Sequence, residues 1–158
     1  MKLLSREGGR LVFQLGKRER TTLLSLLKHY PQLSAGQHPM GRPPAEDDPA
    51  RVVREQLDHS LEEHRAEARR KLGAMLQDPN RFVSGKRGYA LQLTAEEVEL
   101  LLQILGEIRV GGWLALGAPD YEAGEQPNLT PETLPHYWAT EMAGEFQSQI
   151  IDALNEPL

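Results

Sequence analysis

Residues 13–27 read Phe13-Gln14-Leu15-Gly16-Lys17-Arg18-Glu19-Arg20-Thr21-Thr22-Leu23-Leu24-Ser25-Leu26-Leu27. Shifted by 78 positions, residues 91–105 read Leu91-Gln92-Leu93-Thr94-Ala95-Glu96-Glu97-Val98-Glu99-Leu100-Leu101-Leu102-Gln103-Ile104-Leu105, identical at six of the fifteen places. Spaced identity of this density, without a low-complexity run, points to two copies of one supersecondary unit. The expectation is a single domain over 1–158, with copy one at about 1–78 and copy two at about 79–158.

Working outward, each copy reads as strand, turn, strand, helix, long loop, helix. Lys2 to Ser5 and Arg10 to Leu15 flank Gly8-Gly9, while Arg81 to Ser84 and Tyr89 to Leu93 flank Gly85-Lys86-Arg87-Gly88. Glycines supply the positive φ that tight hairpins need. Leu11, Phe13 and Leu15, like Tyr89, Leu91 and Leu93, alternate onto one face, with Gln14 and Gln92 on the other. A pseudo-twofold between the copies would make Gln14 and Gln92 cross-strand neighbours.

The helix after each second strand opens with a glutamate at its third position, Glu19 or Glu97, and Thr94 with Glu97 forms a capping box. Capping explains these shared carboxylates better than catalysis does. Val98, Leu101, Leu102, Leu105 and Ile108 make the apolar stripe of the central helix. Gly106, Gly111 and Gly112 weaken that helix, so close approach of a second helix is expected to compensate. Pro31 ends the first helix, and a mobile loop is expected over about 31–48. A second long connector, acidic in composition, runs from Gly117 to Thr130. Asp48-Pro49 is a helix start signal. It predicts a long helix to about Gln77 that buries Val53, Leu57, Leu61, His64, Ala68, Leu72 and Met75 or Leu76. The last helix, from Thr133 or Pro135, is expected to bury Trp138, Met142, Phe146, Ile150 and Leu154. Four main helices packed with a small antiparallel sheet make the fold class α+β, mainly α.

Composition narrows function by exclusion. With 158 residues, 39% hydrophobic and 26% charged, the chain sits among globular domains. It has no cysteine, which removes disulfides, thiolate zinc sites and thiol redox chemistry. Met1-Lys2-Leu3-Leu4-Ser5-Arg6-Glu7 is broken by charge before a signal core forms, and Gln103, Glu107 and Arg109 interrupt the longest apolar stretch. Neither a secretory peptide nor a membrane span is expected, and the cytoplasm is the expected location. Charge is segregated: residues 1–88 hold 17 Lys and Arg against 11 acids, a balance of +6, whereas residues 89–158 hold only Arg109 against 12 acids, a balance of −11.

Motifs for chemistry are weak. His59 and His64 are five apart, about 140° round a helix, and cannot share one ion as residues four apart do. Glu55, His59 and Glu63 share a face, which a solvated salt-bridging surface explains. Ser60 and His64 lack the glycine-flanked elbow of a serine nucleophile. Ser84-Gly85-Lys86-Arg87-Gly88 lacks the remaining elements of a phosphate loop and is read as a hairpin turn. No catalytic residue, cofactor-binding residue or metal ligand is assigned.

Val12 to Leu15 with Glu19 and Leu23, Leu105-Gly106-Glu107-Ile108-Arg109-Val110 leading to Leu116-Gly117, and the closing Gln147, Ile150-Ile151 and Ala153-Leu154 resemble domain-of-unknown-function family 2017, small proteins best known from actinobacteria. The resemblance implies a mostly helical intracellular bacterial protein with a regulatory role and no established enzymatic activity.

The expected function is therefore non-catalytic protein–protein interaction, as an adaptor or regulator. Arg65, Arg69, Arg70, Arg109 and Trp113 are the candidate contact residues, the partner is another protein, and a homo-oligomer is an open alternative. A second reading is nucleic-acid association through Lys17, Arg18, Arg20, Arg65, Arg69, Arg70 and Lys71. A third is a hydrolase-type enzyme using glutamate with His59 or His136.

Overall fold

The computed structural model describes residues 1–28, 30–31 and 50–155. In chain order these form β1 (Lys2–Glu7), β2 (Arg10–Leu15), α1 (Lys17–Leu27), α2 (Ala50–Gln77), β3 (Phe82–Gly85), β4 (Gly88–Thr94), α3 (Ala95–Ala115) and α4 (Leu134–Asn155). The fold is α+β and mainly α, with the four strands in one antiparallel sheet of order β1-β2-β4-β3. The expected loop over 31–48, apart from Pro31, and the Asp48-Pro49 start signal lie outside the described residues, as does Glu156-Pro157.

Two tight hairpins build the sheet. Gly8 and Gly9 turn the first with φ of 59° and 73°, and Gly88 closes the second at 120°. The hairpins meet through β2 and β4, where Phe13 pairs with Leu91, Val12 with Gln92 and Gln14 with Ala90. Phe13 thus faces its own counterpart 78 positions on, and its neighbours pair symmetrically about that point. Ser5 opposite Val12 likewise matches Val83 opposite Ala90. Gln14 and Gln92, expected as direct neighbours, are instead diagonal, because the pairing is centred on 13 and 91 rather than 14 and 92. Gln92 receives a hydrogen bond from Arg10, at 3.4 Å. Beyond the hairpin and the helix start the halves diverge: α1 has 11 residues where α3 has 21.

Alternation buries Phe13, Leu15, Leu91 and Leu93, each at most 1% exposed, beneath helices. Leu23, Leu26 and Leu27 of α1, Val98, Leu101, Ile104, Leu105 and Ile108 of α3, and Phe146 and Ile150 of α4 complete the core. Both helix starts behave as their sequences require. Glu97 Oε2 accepts from the Thr94 backbone N–H at 2.8 Å, and the Glu97 N–H donates to Thr94 Oγ1 at 3.2 Å. At the other start glycine has no hydroxyl, so only Glu19 contributes, accepting from the Gly16 N–H at 2.5 Å. The Glu19 carboxyl lies below the usual carboxylate range: burial pushes it up, but hydrogen bonds from the Met1 amino group and Gly16 outweigh that.

Arg81 joins three elements at one point. It is 7% exposed; Nε donates to the Met75 carbonyl at 3.0 Å, and the two Nη groups reach both oxygens of Glu97 at 2.6 and 2.5 Å. Nη1 also donates to the Gln92 carbonyl. The end of α2, strand β4 and the start of α3 are therefore tied by one guanidinium.

Two expected apolar faces are displaced. In α4 the buried residues are Ala139, Ala143, Phe146, Ile150 and Ala153, while Trp138 is 38% exposed. The cause lies on α3. A Cβ on Gly112 would fall 2.0 Å from Thr140 Oγ1 and 2.9 Å from the His136 carbonyl, so the backbones touch and only small α4 side chains fit between them. In α2 burial is confined to the C-terminal half, at Arg65, Ala68, Leu72 and Met75; Val53 is 66% and Leu57 37% exposed. The N-terminal half runs past the end of the packed layer, and its apolar residues meet no core.

Two measurements check this packing. Gly112→Ala is expected to destabilise by about 2–3 kcal/mol through overpacking against α4. Gly73→Ala, where an added Cβ meets nothing within 4 Å, should instead stabilise α2 by about 0.5–1 kcal/mol. Equal effects in urea unfolding would contradict the close approach. Arg81→Met should cost about 3–5 kcal/mol by leaving Glu97 charged and unpaired, and adding Glu97→Gln should recover part of that loss.

Candidate interaction face

The outward ridge of α3 is polar and small where its inward stripe is apolar. Gln103, Gly106, Glu107 and Val110 follow at helical spacing, and clefts open on both sides of them. Between α3 and α4 lies a groove of about 670 Å3, lined by Gly106, Arg109, Val110, Trp113, Tyr121, Thr140, Glu141, Gly144, Glu145, Gln147 and Ser148. Between α2 and α3 lies a smaller cleft of about 320 Å3, formed by Leu61, His64, Arg65, Gln103, Gly106, Glu107 and Val110. Gly106 and Val110 belong to both, so the two openings meet on the ridge.

The groove is shaped by close contacts. Gln147 of α4 bridges, its Nε2 donating to the Leu102 carbonyl at 2.9 Å and its Oε1 accepting from Arg109 Nη1 at 3.0 Å. Gly106 leaves room for this reach, since a Cβ there would lie 3.3 Å from Gln147 Nε2. Arg109 lies over Gly144, with Nε 3.4 Å from where a Cβ would be. At the far end Trp113 Nε1 donates to the Pro119 carbonyl at 3.0 Å, fixing the half-buried indole against the connector. The acidic connector carries its own turn: Asp120 Oδ1 accepts from the N–H groups of Glu122 and Ala123, and the Asp120 N–H donates to Glu125 at 2.9 Å. Tyr121 projects from it, 55% exposed.

The floor of the smaller cleft is ionised. Glu107 accepts from the Tyr30 hydroxyl at 3.2 Å and from Gln103 Nε2 at 3.2 Å, and Arg65 Nε lies 3.5 Å from its carboxylate. Gln103 Nε2 also lies 2.7 Å from His64 Nε2. Burial, then the Glu107 charge and the hydrogen bond to it, push the Tyr30 phenol up to about 12, against the opposing charges of Arg65 and Arg69.

The structure separates the candidate contact residues. Arg109 and Trp113 line one groove together. Arg69 and Arg70 are exposed on α2, Arg70 forming a fork with Glu67 at 2.7 Å. Arg65 does not belong to an exposed surface: it is 5% exposed and turns inward to Glu107. Its position on the buried stripe, three before Ala68 and seven before Leu72, explains this. The basic residues considered for nucleic acid are partly engaged within the chain. Lys71 meets Glu67 at 3.5 Å, and Arg20 stacks over the rings of Phe82 and Tyr89 at 5.0 and 4.6 Å. Lys17 and Arg18 are exposed in the first turn of α1.

The histidines considered for chemistry lie apart. His59 is exposed beside Glu63 at 3.5 Å, on the solvated face expected of it. His64, expected at the core edge, is exposed and reaches Gln103 across helices. His136 contributes its carbonyl to the contact at Gly112. Among the described residues, no group of three or more His, Asp or Glu is placed to hold a metal ion, and no helix is long and apolar enough to cross a membrane. Sequence reasoning missed Tyr30, Gln103 and Glu107. The available signal was the i, i+4 spacing of Gln103 and Glu107 opposite the apolar stripe of α3.

No family model, curated protein or solved structure matches the chain.

The Tyr30 environment has a spectroscopic consequence. A raised phenol pKa adds stability that is fully present below the ordinary value of 10 and is lost as pH rises toward 12. In a 295 nm titration, one of the four tyrosines should ionise near 12. Glu107→Gln should move that step back toward 10. A single shared transition in both proteins would contradict the contact.

Proposed function

We propose that the chain is a non-catalytic adaptor or regulatory module of the bacterial cytoplasm, docking another protein along the α3 ridge between α2 and α4. In this reading the scaffold is two copies of one hairpin-and-helix unit, consistent with the regulatory role implied by the resemblance to family 2017. The observation that carries it is the junction of the two clefts at Gly106 and Val110. Together they offer a recess flanked by aromatic anchors, Trp113 and Tyr121, where hot-spot contacts concentrate. Leu57 and Val53 extend the exposed apolar line along α2.

The rim indicates what fits. Glu141 and Glu145 stand on the α4 side, in the half of the chain with a balance of −11. An amphipathic helix with an apolar side over Val110 and basic residues along one flank complements both features. The α2 side adds exposed Arg69, which orients such a helix by excluding its basic flank from that edge.

A photo-crosslinking residue placed at Val110, 47% exposed, tests this in cells of the source organism. A discrete adduct is expected there and not from the same residue at Lys86 on the β3–β4 turn. With the captured protein purified, Val110→Asp should weaken binding about tenfold, or about 1.4 kcal/mol, at unchanged melting temperature. Identical adducts at both positions, or unaltered affinity of the Asp variant, would remove this reading.

A further inference from the structure

The cleft between α2 and α3 is lined by a largely buried cation with a single carboxylate neighbour. Arg65 is 5% exposed, and its one carboxylate partner among the described residues is Glu107, 3.5 Å from Nε. A guanidinium carries five N–H donors. Glu107 is shared, since it also accepts from Tyr30 and Gln103. Arg69 brings a second positive charge to the same neighbourhood, felt together with that of Arg65 at the Tyr30 hydroxyl. Arg69 itself is exposed and outside the cleft lining, so among the described residues Arg65 is the cleft's one guanidinium, and its nitrogens not engaged by Glu107 keep access to solvent.

The remaining wall is apolar on one side and polar on the other. Leu61 and Val110 face the opening, Gly106 places no side chain in it, and His64 with Gln103 forms the polar edge. At about 320 Å3 the space is of the order that small ligands occupy. Simple inorganic anions would leave the Leu61 and Val110 surfaces unused.

We propose that this cleft binds a carboxylate bearing a short aliphatic arm, with the carboxylate on Arg65 and the arm between Leu61 and Val110. The ligand charge completes the guanidinium's hydrogen bonding in a fork geometry that suits it. Two sources carry this chemistry: a free aliphatic acid, and the C-terminus of a peptide ending in leucine or valine. Occupancy by a free acid requires no docked protein, so the site stands whether or not the α3 ridge recruits a partner.

Titration of the full, 15N-labelled chain with 4-methylpentanoate tests the site. Amide shifts are expected around Leu61, Gln103 and Val110, with Kd about 1 mM, within reach of so small a ligand. The matching alcohol, with the same arm and no charge, should bind about tenfold more weakly. A short peptide ending in leucine separates the sources. Tighter binding than the acid, abolished by C-terminal amidation, identifies a chain terminus; equal or weaker binding identifies a free acid. Val110→Trp fills the opening from an exposed position without touching the Arg65 pairing and should reduce affinity about tenfold. Arg65→Lys keeps the charge but removes the fork and should weaken binding several-fold; should it fail to fold, Val110→Trp decides alone. Absence of shifts up to about 20 mM acid, far above the Kd expected of a built site, or equal affinity in Val110→Trp, overturns the proposal.

Discussion

The bidentate pair between Arg81 and Glu97 is the constraint on which the arrangement of elements depends. Glu97 is already committed to the start of α3, where it accepts the Thr94 N–H. Arg81 is committed to the end of α2 through the Met75 carbonyl, and to β4 through Gln92. Because one carboxylate and one guanidinium each serve two purposes, α2 cannot leave the sheet without disturbing the α3 cap. Breaking such a pair costs far more than the pair itself contributes, since a charge is stranded in a poorly solvated place. The anchor lies at the C-terminal end of α2, which is also where that helix is buried. Its other half, with Val53 and Leu57 exposed, extends away from the fixed point.

Backbone contact between α3 and α4 has an equally local origin. Gly112 admits Thr140 and the His136 carbonyl to distances that any side chain would forbid. The same approach turns Ala139 and Ala143 inward and leaves Trp138 partly exposed. Further along the same helix pair, Gly106 and Gly144 are filled by long side chains from the opposite helix, Gln147 and Arg109. The groove beside the ridge is what remains where these glycines are bridged by polar side chains instead of closed by apolar ones. A structural requirement for small residues thereby produces a recess with a polar rim.

Sequence patterns revealed those features whose causes are local. Glycine-paired turns, alternating strands and the Glu19 and Glu97 caps follow from neighbouring residues, and each is found where its residues predict it. The α2 and α4 stripes depended on partners that a helical wheel does not contain. Val53 and Leu57 have the period of a buried face but, among the described residues, no helix opposite them, and Trp138 lost its place to alanine because α3 comes too near. Arg65 shows the same limit at the site: residue type alone makes it a surface cation, whereas its phase with Ala68 and Leu72 directs it inward. Glu107, on a different helix, supplies its partner, and no local pattern connects positions 42 residues apart.

Charge segregation acquires a specific meaning from the packing. Complementary halves would cancel through ion pairs across them, and Arg65 with Glu107 and Arg81 with Glu97 are such pairs. Arg51, Arg70 and Lys71 of the first half are matched by acids of their own helix. The second half has a single arginine, so Glu141 and Glu145 by the groove and Asp120, Glu122 and Glu125 in the connector keep an excess of negative charge. Exposed charges act over roughly a Debye length, about 8 Å at physiological salt. That span covers the rim of the groove but not the whole molecule. The acidic field therefore acts at the α4 side of the ridge, while the cleft holding the Arg65–Glu107 pair lies on the α2 side of the same helix. α3 separates an acidic rim from an ion-paired cleft, and Gly106 and Val110 are where they meet.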